Sequence, residues 1–441
     1  MSRWLPKPWV VESVNNTPVP GSAPLEAKKA IKENKRDQII RATMELISSE
    51  GVAAVTHKAV AKRAGVSLAA TTYYFKTKDE FLIEAIQHMM GEYATNMDGV
   101  LSRQMACPSV GSFSQLISAY LRRGIGKYRQ ASIAWAEIMN WLVRREEYYH
   151  LVRDWYLDNV PRWDTLVEGF GLPNPTLTGI NATDTISGVL EIFQITGKTE
   201  ADFDRIFRDG ENPLEVLVPD GGGEVELTLP GRVRRKSQKT RGKVLAAAQE
   251  ILAEGGIQAL THKAVAQRSG LTVAVPTYHF ASKSTLLSAT YRQLMADARD
   301  RYREVMGKVD YSTLTIATMI DLTALIVQAE ITQHSHSCLV QREIGLLATR
   351  EPSLRSTVWA FSADQIKAWS RLLECLGYKT DPLDAFLVIS LLSGKMRRHI
   401  ALGSQLGDLI SLREELTAGI NSILDKSHWA IQYADTRNTR A

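Results

Sequence analysis

The sequence predicts an all-α protein made of two tandem helical halves, each with an N-terminal helix-turn-helix domain followed by a larger helical domain. Three observations support this fold class. A segment of 27 residues occurs twice, 205 residues apart, with 14 identical positions. Long stretches behind each copy carry apolar residues at helical spacing, and runs of alternating polarity are too short for a sheet domain.

The repeated segment covers residues 56–82 and returns without a gap at residues 261–287. Solenoid repeats typically have periods of about 20 to 50 residues, so this longer period indicates a duplicated domain. The helix before each copy is amphipathic, with apolar side chains at positions i, i+1, i+4, i+7 and i+8. In the first half this face begins at Ile39 and in the second at Val244.

Glycine and hydroxyl residues mark the ends of the short helices in both copies. Gly51 and Gly255-Gly256 are expected to end the first helix as C-terminal caps. Thr56 and Thr261 suit the N-cap of the second helix. The turns at Gly65 and Gly270 lead to two further cap candidates for the third helix, Ser67 and Thr272.

The bulk composition is that of an ordinary globular protein, with 441 residues, 44% hydrophobic residues and a net charge of +5. This small positive excess permits phosphate binding without establishing it. The three cysteines are far apart, which favours a reducing cytoplasm. Neither a secretion signal nor a membrane span is expected; the nearest candidate span, residues 314–329, is interrupted by Asp321.

Further helices are predicted after each repeat. In the first half they cover about 78–106, 112–128, 131–147, 148–170 and 181–196, and in the second about 283–307, 312–333, 337–350, 353–377, 382–402 and 408–426. The segment around Glu137 parallels that around Glu343, so the duplication continues beyond the repeat. Between the halves, Gly and Pro clusters indicate a linker with room for a small hairpin.

These patterns give the following predicted division of the chain: a flexible arm at 1–34, helix-turn-helix domains at 35–82 and 237–287, regulatory domains at 83–209 and 288–433, a linker at 210–236, and a flexible tail at 434–441.

A helix-turn-helix unit places its second helix in the major groove of DNA. The predicted recognition helices are residues 67–74 and 272–279, whose small side chains permit close approach to base edges. The hydroxyls of Thr and Tyr, together with His279, can contact phosphates or bases. Lys78 and Lys283 begin the next helix, where an ammonium group and free amides favour phosphate.

At these residues the chain resembles the TetR family of bacterial transcriptional repressors. Both copies carry a threonine-started helix, the sequence AVA, a Gly-Val-Ser type turn, an aromatic-Phe pair and a lysine shortly after. The motif covers about 50 residues at each of two places. The helical remainder resembles the family's ligand-binding domains in length and pattern only.

The resemblance implies roles for individual positions. Phosphate contacts are implied for Thr56, His57, Thr261, His262, Lys78 and Lys283; a base contact for Lys58 and Lys263; and a core position for Phe75 and Phe280. The predicted DNA-binding set also includes the two recognition helices with their caps: Ser67, Leu68, Ala69, Ala70, Thr71, Thr72, Tyr73, Tyr74, Thr272, Val273, Ala274, Val275, Pro276, Thr277, Tyr278 and His279.

The recognition helices depart from the family's usual Gly-Thr-Leu-Tyr. Residues 69–72 read Ala-Ala-Thr-Thr, and residues 274–277 read Ala-Val-Pro-Thr. Tyr73 and Tyr278, one position later, are candidates to replace the usual tyrosine contact. Pro276 either fixes the first turn of its helix or shifts the helix start, because proline within a helix costs about 3 kcal/mol.

Two side-chain groups allow both a functional and a structural interpretation. An aromatic-rich stretch could line a ligand pocket or pack as core, with pocket candidates Trp135, Met139, Trp141, Trp155 and Trp163. The sequence His334-Ser-His336-Ser-Cys338 could suggest a metal cluster, but its ligands would diverge on a helix. Neither a metal nor a cofactor is therefore predicted.

Basic residues precede each helix-turn-helix, over residues 28–36 and 232–241. They are either solvated surface or arms that contact the DNA backbone, and backbone contact is the favoured interpretation.

The sequence thus predicts a ligand-responsive transcriptional regulator, a repressor, that binds an imperfect inverted repeat in double-stranded DNA as an internal pseudo-dimer. Its effector is expected to be a small apolar or aromatic molecule, and further self-association is left open. The alternatives are an effector-free architectural DNA-binding protein, or a small-molecule or metal-binding protein with vestigial helix-turn-helix units. Catalysis is not expected, since the chain carries no Gly-rich phosphate loop, nucleophile elbow or HExxH.

Overall fold

The computed structural model describes residues 35–106, 111–220, 235–379 and 381–425, and every regular element within those ranges is a helix. The prediction of an all-α fold is confirmed. The predicted N-terminal arm, the hairpin in the linker, Cys107 and the C-terminal tail lie outside the described residues.

The helices of the first half are α1 (Lys35–Glu50), α2 (His57–Ala64), α3 (Leu68–Tyr74), α4 (Lys78–Ala106), α5 (Phe113–Ile125), α6 (Arg129–Leu142), α7 (Tyr149–Gly169), α8 (Pro175–Thr196), α9 (Glu200–Phe207) and α10 (Pro213–Val216). Those of the second half are α11 (Arg235–Ala259), α12 (His262–Ser269), α13 (Ala274–His279), α14 (Lys283–Met306), α15 (Ile316–Thr332), α16 (Ser335–Leu347), α17 (Arg355–Cys375), α18 (Pro382–Ala401) and α19 (Leu412–Leu424).

The expected caps of the helix-turn-helix units are present. Thr56 and Thr261 each accept a hydrogen bond from the backbone N–H three residues on, at 3.1 and 3.0 Å. Gly65 and Gly270 end the second helices with φ of 68° and 66°, a left-handed conformation that favours glycine. The start of α11's final turn is likewise marked by Gly256, at φ 69°.

Three expectations need correction. Thr272 does not cap α13, which begins at Ala274. In α3 the Thr71 N–H donates to the Ser67 carbonyl, but the equivalent Pro276 has no N–H to donate to the Thr272 carbonyl, so the second helix starts later. Helix α8 begins at Pro175, not near residue 181, with the proline in its first turn. Helices α9 and α10 were not predicted: Thr199 and Asp202 form a capping box before α9 that is visible in the sequence, and α10 lies within the predicted linker.

The two halves pack against each other most extensively through α8 and α18. Gly188 of α8 lies against the backbone carbonyl of Ser390, and Gly394 of α18 lies against that of Asp184. A Cβ at either glycine would fall far inside van der Waals contact. The helices therefore approach closely at two reciprocal points, one on each half.

A charged cluster is buried at this junction. Lys395 Nζ donates to Asp184 Oδ2 of the first half at 2.9 Å and to Glu415 Oε2 at 2.8 Å, and its side chain is fully buried. Arg398 also pairs with both carboxylates. Burial alone would raise the pKa of Asp184, but the charges of Arg398 and Lys395 bring that pKa below its ordinary value.

Candidate nucleic-acid interface and ligand cavities

The recognition helix of the first half, α3, presents an exposed surface on a buried support. Ser67 caps the helix by accepting from Ala70 N–H at 3.1 Å. Leu68 and Tyr73 project outward, with 53% and 82% of their surface exposed. Phe75 is buried directly after the helix, as predicted, and holds the unit to α1.

The second recognition helix, α13, has the same arrangement, although it begins one residue later than α3 does. Val273 is 49% exposed and Tyr278 is 84% exposed, at positions equivalent to Leu68 and Tyr73. Phe280 is buried, and the Arg241 guanidinium lies 5.3 Å from its ring, as Arg36 lies 5.8 Å from Phe75. The two tyrosines are the most exposed large side chains of their helices.

Several predicted contact residues face inward. Thr71 is fully buried, and its hydroxyl donates to the Leu68 carbonyl and meets His57 Nδ1 at 3.3 Å. Pro276, its counterpart, is also buried. His262 Nε2 donates to the Phe280 carbonyl at 2.8 Å. Thr71 and Pro276 consequently support the recognition helices from behind and are removed from the set of DNA contacts.

Lys78 and Lys283 are half-buried. Lys78 Nζ donates to the Ala53 carbonyl at 3.4 Å, and Lys283 Nζ donates to the Ile257 carbonyl at 2.5 Å. Burial lowers the pKa of both ammonium groups. Lys78 ties the start of α4 to the segment after α1, and Lys283 ties the start of α14 to the final turn of α11. Lys58 and Lys263, by contrast, are exposed.

A cavity of about 140 Å³ lies between α1, α4, α5, α6, α7 and α8 of the first half, and Arg397 of α18 also lines it. Trp135, Trp155 and Trp163 line it, as predicted, with Tyr93 and Tyr156 added by α4 and α7. Met139 is core instead, and Trp141 stacks on Tyr148, which corrects those two pocket residues. Trp141 lies on a side of α6 that does not line the cavity, whereas Met139 lies on the same side as Trp135 but is buried among core side chains beyond the lining.

A second cavity, of about 250 Å³, lies in the second half between α14, α15, α16, α17 and α18. Its wall is mostly aliphatic, with Tyr291, Tyr302 and Trp369 spread over two helices. No local cluster of residues in the sequence marks it, since its lining comes from six separate helices, α8 included. Glu191 of α8 lines both cavities.

The candidate metal sequence is dispersed in space. His334 precedes α16, and Cys338 is buried with Sγ 3.5 Å from Glu330 Oε2. Within the described ranges, no group of three or more His, Cys, Asp or Glu side chains is arranged to hold a metal ion. Nor does any helix described here have the length and apolar character needed to cross a membrane.

Comparison with known proteins agrees with this architecture. A family model described as bacterial regulatory proteins, tetR family, matches residues 39–85 and again 244–290. A model described as tetracyclin repressor-like, C-terminal domain, matches residues 314–426.

Individual relatives match in part. The HTH-type transcriptional regulator BetI of Klebsiella pneumoniae (strain 342) is 32% identical over 108 residues, 24% of this chain and 52% of that protein. UidR of Escherichia coli (strain K12), also an HTH-type transcriptional regulator, is 28% identical over 91 residues, 21% of this chain and 46% of that protein. The chain spans about half the length of these curated relatives. A transcriptional regulator from Rhodococcus sp. Rha1 superimposes with a TM-score of 0.37 at 20% identity, over 42% of this chain and 96% of that one.

Two capped helix-turn-helix units with exposed recognition helices, each backed by a helical domain, define a helix-turn-helix protein of all-α architecture. The chain belongs to the TetR family of bacterial regulatory proteins, with two TetR-type units in tandem.

Proposed function

We propose that this chain is a ligand-responsive transcriptional repressor that binds an imperfect inverted repeat in DNA as an internal pseudo-dimer. The observation that carries the proposal is the reciprocal packing of α8 on α18 in a chain with two exposed recognition helices. A homodimer supplies two helix-turn-helix domains from two chains, whereas here one chain supplies both. We call these two domains, residues 35–82 and 237–287, the reading heads.

The proposed DNA contacts are the exposed residues of the two heads. Lys58 and Lys263 supply charge at the start of α2 and α12, and Tyr73 and Tyr278 supply hydroxyls on the recognition helices. Neighbouring exposed positions differ between the heads, such as Leu68 and Val273. Identical contacts specify the shared part of each half-site, and differing contacts make the operator imperfect.

The proposed effector sites are the two cavities, each bounded by helices that support a head. Met44 of α1 and Met89 of α4 line the first cavity, so a bound ligand touches the helices that carry the first recognition unit. A ligand releases DNA only if it binds better to a conformation whose heads no longer match the groove. Because α1 and α4 hold the first recognition helix, a ligand that contacts them can favour a different position of that helix.

The proposal retains the domain division given above, with heads at 35–82 and 237–287 and regulatory domains at 83–209 and 288–433. It includes a cytoplasmic location, because the proposed partner is genomic DNA.

Selection from a randomised DNA library, followed by sedimentation of the complex, tests the proposal. We expect an imperfect inverted repeat bound by one chain, with affinity that falls steeply as salt is raised. Perfect palindromes bound by two chains, with one head of each engaged, would refute the pseudo-dimer. Operator binding that no ligand weakens would favour the effector-free architectural alternative.

A further inference from the structure

The wall of the second cavity contains three charged side chains, of which two already have partners. Glu330 pairs with Arg301, whose Nη2 lies 2.7 Å from Glu330 Oε1. Glu191 pairs with Arg397 across the junction of the halves and accepts a further hydrogen bond from Ser393 at 3.1 Å. These two carboxylates are therefore neutralised by arginines.

Arg342 of α16 is the third charged group. Its Nε and Nη1 atoms are buried and have no hydrogen-bond partner in the protein. Within the described part of the chain, no carboxylate lies within ion-pair distance of this guanidinium. The side chains close enough to influence its charge electrostatically are Cys338, Tyr156 and Arg144. Arg144 is itself a cation and is paired with Glu343.

An unpaired guanidinium whose nitrogens are buried is costly, because a buried charge requires a counter-charge or hydrogen bonds that replace water. Burial lowers the pKa of Arg342 to about 10, which leaves it cationic at neutral pH. The cavity thus has one positive charge that the protein does not balance.

The remainder of the wall is mostly apolar, with a few neutral hydrogen-bonding side chains such as Gln341 and Gln365. Its apolar residues include Met306, Met319, Val327, Phe361 and Leu392. Methionine side chains are flexible and can adjust to ligands of different shape. The volume of about 250 Å³ exceeds many times what one water molecule needs. Such a cavity fits a mostly apolar ligand with a single negatively charged end.

We propose that the second-half cavity binds a hydrophobic organic acid, an apolar body with one carboxylate, whose carboxylate accepts hydrogen bonds from Arg342. One guanidinium balances one negative charge, which favours a carboxylate over a phosphate dianion. The inference rests on the proposed effector function and assigns the chemical class of one effector. The first cavity differs, since its arginine, Arg397, is already paired with Glu191.

The test compares ligands that differ only in their polar end. Dodecanoate, dodecan-1-ol and dodecylamine form one series, and 2-naphthoate and 2-naphthylmethanol form another, each titrated into the full-length protein without DNA. We expect at least one acid to bind about tenfold or more tightly than its alcohol, because a hydrogen bond to a charged group is worth that much. The amine should bind worst.

Arg342→Gln should abolish the preference for acid over alcohol while the protein stays folded, since the substitution removes an uncompensated buried charge. Arg303→Gln, at an exposed arginine of α14, is the matched control and should keep the preference. Equal binding of acid and alcohol, absence of acid binding in both series, or an acid preference that survives in Arg342→Gln would overturn the inference.

A parallel titration with operator DNA separates this inference from the proposed function. If acid binding depends on Arg342 but saturating acid leaves operator affinity unchanged, the site stands and the effector role fails. If no acid binds while an imperfect operator is selected, the acid site fails and the DNA-binding proposal stands.

Discussion

Arg144 of the first half and Glu343 of the second form an ion pair, with Arg144 Nη2 2.5 Å from Glu343 Oε2. Arg350 and Glu137 repeat the pair with the halves exchanged, at 2.6 Å. Glu343 also accepts from the Ile257 N–H at the kink of α11. The two crossed pairs thus join each regulatory domain to the other half close to the base of a reading head.

Arg144→Gln is expected to lower the free energy of unfolding by about 1.5–3 kcal/mol, because it leaves the largely buried Glu343 carboxylate without its cation. Glu343→Gln in the same chain should recover part of that loss. Denaturant unfolding of the two single variants and the double variant measures the coupling. The exposed pair Lys308–Glu304 is the control, and its cycle should give less than about 0.5 kcal/mol. A coupling as small as the control's would mean that the crossed pair does not hold the halves together.

Gly188→Ala should destabilise the junction by about 3 kcal/mol, since its methyl group would overlap the Ser390 carbonyl and force α8 and α18 apart. Gly394→Ala should act similarly through Asp184. Gly91→Ala is the control: that helical position is exposed and open, so alanine should stabilise by about 0.5–1 kcal/mol. Thermal unfolding distinguishes these outcomes, and an unchanged Gly188→Ala variant would contradict the close approach.

Asp184→Asn should cost about 3–5 kcal/mol at neutral pH, because Lys395 and Arg398 would lose one of their two buried counter-ions. The exposed Asp158, paired with Arg162, provides a matched control whose asparagine variant should change stability by less than about 1 kcal/mol.

The buried cluster of Asp184, Glu415, Lys395 and Arg398 also predicts how the free energy of unfolding changes at acidic pH. The pKa values of Asp184 and Glu415 are lowered in the folded protein, so their contribution is complete above the unfolded values of about 4 and is lost as the pH falls toward the folded ones. Unfolding free energy should therefore decline below about pH 5, with a shallower slope in Asp184→Asn. Parallel slopes for variant and wild type would count against this assignment.

Lys58→Ala and Lys263→Ala should each weaken operator binding while leaving the melting temperature unchanged, because both side chains are exposed. A lost base contact is worth about 1–3 kcal/mol, and a lost phosphate contact reduces the salt dependence. Each variant should alter the footprint over one half-site only, and Lys308→Ala should alter neither. Loss of protection over both half-sites from one substitution would contradict one head per half-site.

Tyr73→Phe and Tyr278→Phe test whether these tyrosines, one position later than the family's usual tyrosine, contact DNA through their hydroxyls. Both rings are more than four-fifths exposed, so removal of the hydroxyl should not affect folding but should cost operator affinity. Competitive gel shifts with the selected operator measure the effect. Full affinity in the double variant would remove these hydroxyls from the interface.

The sequence by itself determined the two reading units. Their caps, turns and periodicity are local, so Thr56, Gly65 and Ser67 could be assigned from neighbours within a few residues along the chain. It also gave Trp135, Trp155 and Trp163 as candidates either to line a pocket or to pack as core, and in the structure these three side chains line the first cavity. Local patterns could not show that Thr71 faces inward, since a short helix has only two turns over which periodicity can be seen.

Tertiary structure alone decided how the halves meet. Asp184 and Lys395 are 211 positions apart, and nothing in the sequence around either residue specifies that the other will neutralise it. The second cavity likewise depends on six helices. Arg342 has no carboxylate partner because the nearby carboxylates Glu330 and Glu191 pair with Arg301 and Arg397. Charge balance and close approach are properties of packed surfaces, and a linear pattern does not contain them.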